Sequence, residues 1–140
     1  MADRSGDNYA LIAERKLING GDYYGRVRVI YDTITTDGTE TVSSKIYCGL
    51  LRPEDRVIGG ALVFEGLGAS TTLALGDAGD DDRFLAAVST AAAGSADLRA
   101  MAGFGYRVAG SDTVPVCLTV GGATLTAGAQ IRVAIYLVRD

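Results

Sequence analysis

From Tyr23 onward, apolar and polar residues alternate with a period of two, the spacing of a strand with one face buried. Val27, Val29 and Tyr31 alternate with Arg26, Arg28 and Asp32. Asp37-Gly38 then supplies the residues of a tight turn into Val42, Ile46 and Cys48, predicting a hairpin. After the turn signal Arg52-Pro53-Glu54-Asp55, the runs VIGGALVFE (57–65) and STTLALG (70–76) are rich in β-branched and apolar residues between glycines. Both read as strands. Asp80, Asp81 and Asp82 precede RFLAAV, an acidic lead into a short alanine-containing apolar run that predicts the one short helix of the body. Residues 90–103 are small and irregular and read as a loop, and FGYRV (104–108), TVPVCLTVGG (113–122) and AQIRVAIYLVRD (129–140) add further strands.

The expected fold is therefore all-β, an antiparallel, jelly-roll-like sandwich of about seven to eight strands in residues 23–140. Residues 1–22 stand apart as an N-terminal arm. A polar start leads into YALIAERKLI, with Tyr9, Leu11, Ile12, Leu17 and Ile18 as its apolar side chains, and Asn19-Gly20-Gly21 closes it. That patch is too short to be stable as an isolated helix, so the arm is expected to gain order by gripping a neighbouring subunit or a larger partner. The Tyr23-Tyr24 pair is expected to pack where arm and sandwich join.

Two strands carry apolar residues on both faces. In the last, Ile131, Val133, Ile135 and Leu137 share one side while Ala134, Tyr136 and Val138 share the other; in 57–65, Ile58, Leu62 and Phe64 oppose Val57, Ala61 and Val63. An isolated antiparallel sandwich shows water a polar outer face. A covering layer is expected here, with Ala134, Tyr136 and Val138 as an interface between copies of a homo-oligomer, a trimer ahead of a dimer. Composition agrees, since 48% of residues are hydrophobic, 21% are charged and the mean hydropathy is +0.20.

Charge and chemistry narrow the function. A net charge of −4 argues against nucleic acid, which requires clustered Lys and Arg. The opening MADRSGDN lacks the apolar stretch of a signal peptide and no apolar run approaches the roughly eighteen residues of a membrane helix, so a cytoplasmic product with no membrane span is expected. Cys48 and Cys117 are expected to be buried thiols on opposite faces, because Cys48 runs in phase with Val42, Ile46 and Leu50 while Cys117 is out of phase with Val116 and Leu118.

The chain has no histidine, which removes the commonest general base and the usual nucleophile triads. No enzyme activity and no cofactor are expected. Asp77, Asp80, Asp81 and Asp82 could hold Ca²⁺, but their spacing departs from the EF-hand loop and a solvated acidic turn is the favoured reading, so no metal is expected. A β-sandwich module binding carbohydrate or a host receptor is the alternative function, weakened by the lack of Trp and by aromatics that lie mostly in strands.

The stretch RVIGGALVFEGLGASTTLALGDAGDDDRFLAA (56–87), with its G-x-STTL-x-x-G-x-AGD-x-D-x-F motif, and the ending GGATLTAGAQIRVAIYLVRD (121–140) resemble small head proteins of tailed bacteriophages. The resemblance implies a capsid decoration, or cement, protein, related to the base of head fibres. Its partner would be the major capsid protein, and it would be made in the bacterial cytoplasm and located on the outer capsid surface.

Overall fold

The computed structural model describes Glu14 and residues 26–139, so the expectations for the arm, for Tyr9, Leu11, Ile12, Leu17 and Ile18, and for Tyr23-Tyr24 lie outside the described residues. Eight strands follow in order: β1 (Arg28–Thr35), β2 (Lys45–Leu51), β3 (Asp55–Phe64), β4 (Thr72–Gly76), β5 (Leu85–Ser89), β6 (Gly94–Asp97), β7 (Val114–Gly121) and β8 (Gln130–Arg139). They form two four-stranded sheets, ordered β1-β8-β3-β6 and β2-β7-β4-β5, with every pairing antiparallel. This double-sheet order is that of a jelly roll.

Period-two alternation places the core between the sheets. Leu62, Ile131, Val133 and Ile135 from one sheet meet Leu73, Leu75, Val116, Leu118 and Val120 from the other, all essentially without solvent contact.

Five expectations are corrected. The segment after Asp80–Asp82 is strand β5 and not a helix: it pairs antiparallel with β4, Leu73 opposite Val88 and Leu75 opposite Leu85, with Leu85 buried in the core and Val88 partly buried against it. No helix occurs among the described residues. Within 90–103, residues Gly94–Asp97 form β6 against β3. Residues 104–108 make only the single bridge Arg56↔Arg107, held by Val57 N–H to Tyr106 O at 2.8 Å and Gly105 N–H to Val57 O at 2.7 Å.

The Asp37-Gly38 turn exists, with Gly38 at φ +87°, but it passes the chain between sheets, so β1 pairs with β8 and β2 with β7 in place of a local hairpin. Finally, a bulge between Val57 and Gly59 reverses the face parity of β3. Val57 therefore joins Leu62 and Phe64 in the core, and Ile58 does not.

Candidate functional site

The outer face of the β1-β8-β3-β6 sheet is built from cross-strand rows. Val29 pairs with Tyr136, which pairs with Gly59; Tyr31 with Ala134 and then Ala61; Thr33 with Arg132 and then Val63. Two of these three rows carry only apolar or aromatic residues. Val29, Tyr31, Val63 and Tyr136 remain 58%, 59%, 49% and 42% exposed, and Phe104, 59% exposed, extends the patch. A groove of ≈ 470 Å³ between Ile58, Ala61, Phe104 and Tyr136, rimmed by Asp97 and Arg99, continues the surface toward β6. Monomers rarely leave so many contiguous apolar side chains in water.

The structure brings Ala134 and Tyr136 together on this face. Val138 is buried within the chain, 5% exposed, beside the end of β3 where Arg56 meets Arg107, so it is not surface for a partner. Sequence reading missed Val29 and Tyr31 as members of the face. Their alternation was visible, but only the pairing of β1 with β8 places them beside Tyr136 and Ala134.

The acidic turn between β4 and β5 covers part of the other sheet. Asp77 is buried, and its carboxylate accepts N–H groups from Gly79 and Asp80, both at 3.0 Å, and from Arg83 Nε at 2.7 Å. The Arg83 guanidinium lies 4.2 Å from the centre of the Tyr106 ring, which meets Phe84 edge-on at 5.9 Å. Asp77 is thus the internal staple of the turn. The hydrogen bond to Asp77 holds Arg83 above the usual guanidinium range, against the opposing effect of burial.

Asp80, Asp81 and Asp82 keep carboxylate oxygens within 4.8 Å of one another, mostly exposed, and Lys45 approaches Asp81 at 3.9 Å. Asp82 titrates above the usual carboxylate range, first because of its hydrogen bond to Asp80 and then because of that neighbour's charge. Beneath the turn, a groove of ≈ 600 Å³ is lined by Lys45, Tyr47, Pro115 and Cys117.

Both cysteines are buried, free and on opposite sides of their sheet: Cys48 joins the core, while Cys117 faces the groove under the turn. Burial pushes the Cys48 thiol up to about 12, with Asp32 and Cys117 adding smaller effects, and burial also raises Cys117. Asp55, the other buried carboxylate among the described residues, accepts from Arg139 Nε at 2.9 Å and from the Arg52 N–H at 2.8 Å.

Strand order and outer face define the class, an eight-stranded jelly roll with an apolar sheet face that no strand among the described residues covers. Within that class the chain is similar to chains of bacteriophage capsids. It is 26% identical to a chain of the cyanophage Pam1 capsid asymmetric unit, covering 91% of this chain and 96% of that one with a TM-score of 0.74. A chain of the capsid of Ralstonia phage GP4 shares the fold at TM-score 0.70 and 21% identity, covering 83% and 86% of the two chains. A chain of the acid-stable capsid of Helicobacter pylori bacteriophage KHP30 shares it at 0.58 and 11%, covering 80% and 86%. The sequence matches no protein-family model and no curated protein.

Proposed function

We propose that this chain is a non-enzymatic structural protein of the virion that binds the outer surface of a tailed-phage capsid and stabilises it, as a decoration or cement protein does. The observation that carries this reading is the apolar outer face around Tyr136, Ala134 and Tyr31, exposed on a jelly roll 26% identical to a Pam1 capsid chain over nearly the full length of both. A face of that kind gains free energy by leaving water, at about 25 cal/mol for each Å² covered. In the assembled particle it meets a neighbouring subunit.

The chemistry supports a scaffold in place of a catalyst. The buried carboxylates among the described residues, Asp55 and Asp77, are each paired with an arginine and tied to backbone N–H groups, so both are engaged in holding the chain's turns and strand ends. The arm, with Tyr9, Leu11, Ile12, Leu17 and Ile18, serves as the grip on the major capsid protein or on the next subunit. Many copies on a symmetric lattice offset the weak binding of each.

Co-sedimentation with capsids lacking the protein tests this reading. Saturable binding that protects the shell against heat or dilution supports it. Absence of binding, or binding with no gain in shell stability, overturns it.

A further inference from the structure

The geometry points to a second assembly contact: two copies of this chain pair edge to edge through β1, antiparallel about Ile30, joining two four-stranded sheets into one. β1 bonds only to β8, and its other edge has no strand partner among the described residues. The other sheet edges carry the devices that discourage pairing. β2 is bulged after Tyr47 and begins with Lys45, β5 has five residues, and β6 has four. β1 has eight regular residues, RVIYDTIT, with neither Lys, Pro nor a bulge.

Its backbone groups face the right way. Thr36 directs its N–H to Ala129 O at 2.8 Å and its C=O to Gly128 N–H at 2.7 Å, both on the β8 side. By the two-residue alternation of a strand, Val29, Tyr31 and Thr33 turn their N–H and C=O groups to the open edge. Thr33 N–H is met there by its neighbour Asp32, at 2.9 Å.

The side chains select a second copy over a foreign strand. Arg28 and Asp32 lie four residues apart on the same face as Ile30, and neither has an ion-pair partner among the described residues. An antiparallel copy centred on Ile30 places Arg28 opposite Asp32 twice, Ile30 opposite itself, and Val29 opposite Tyr31 twice. The last two are pairs whose edge-facing groups exchange about four backbone hydrogen bonds. The sequence of the strand is thus its own complement in charge, as an isologous two-fold contact demands. Val29 and Tyr31 of both copies then come side by side and make the two apolar outer faces continuous.

The test is charge reversal followed by mixing. The native chain should be a dimer by sedimentation at micromolar concentration, and Arg28→Asp alone or Asp32→Arg alone should raise its dissociation constant about tenfold or more by setting like charges opposite each other twice. An equimolar mixture of the two variants should restore the dimer as a heterodimer. Ile30→Cys should cross-link copies under mild oxidation, because the two central residues stand opposite each other. A native monomer, single variants that associate like the native chain, or a mixture that fails to associate while each variant keeps its β-sheet circular dichroism would each overturn the pairing. None of these measurements depends on capsid binding.

Discussion

At Asp77 one side chain fixes how a whole turn sits on its sheet. Its carboxylate receives two backbone N–H groups and the Arg83 guanidinium, whose cation then rests on Tyr106. Asp77→Ala leaves those donors unmet and is expected to lower stability by about 2–4 kcal/mol. Asp80→Asn and Asp81→Asn remove no comparable contact and should each cost no more than about 1 kcal/mol. Urea titrations of the three variants check the contrast. A loss at Asp80 or Asp81 as large as at Asp77, reproduced in the native protein by EDTA, would instead establish a Ca²⁺ site.

Cysteine chemistry gives a second check at this scale. With Cys48 pushed up to about 12 and Cys117 also raised by burial, thiolate is scarce at both positions at pH 8. Neither should react with a thiol reagent until the fold opens, and both should then react together. Rapid labelling of Cys117 in the folded protein would mean that the acidic turn lifts from its sheet.

Among the elements, β8 carries most of the argument, since it lies between β1 and β3 and shows one face to the core and the other to the open surface. Tyr136→Glu should leave thermal unfolding nearly unchanged, because the side chain is 42% exposed, yet weaken association of subunits. Calorimetry with light scattering separates these effects, and a large fall in Tm without change in mass would show the tyrosine to be structural. Gly60 belongs to the same element pair. A Cβ there would come 2.2 Å from Ala134 O, so Gly60→Ala should separate β3 from β8 and cost about 2 kcal/mol or more.

Legibility followed range. Alternation located six of the eight strands, all but β5 and β6, together with the two-faced character of β8 and the opposite orientation of the cysteines, because each depends on neighbouring residues alone. Val57 was misplaced because a bulge shifts parity by one residue, with a pair of glycines at 59 and 60 as its only local trace. Strand β5 resembled a helix start because aspartates that cap helices also close turns; the packing of Leu85 and Val88 decided between them. The Val29–Tyr136 row was invisible for a different reason: its members are more than a hundred positions apart in sequence.

For the whole molecule, division of labour between body and arm is the expectation that matters. The described residues contain both sheets and a closed core, so deleting residues 1–22 should preserve cooperative melting and the β-sheet circular dichroism. Binding of the truncated protein to undecorated capsids should fall, since the apolar side chains from Tyr9 to Ile18 are gone. Equal binding would remove the arm from the attachment mechanism.

The most direct test of the proposed role is a cryo-EM reconstruction of intact virions of the phage that carries this sequence. The account predicts eight-stranded jelly-roll density outside the capsid shell at symmetry-related positions, with the Tyr136 face against a neighbour and a copy number set by the lattice. Density for this chain inside the shell or on the tail alone, or virions that lack the protein altogether, would contradict it.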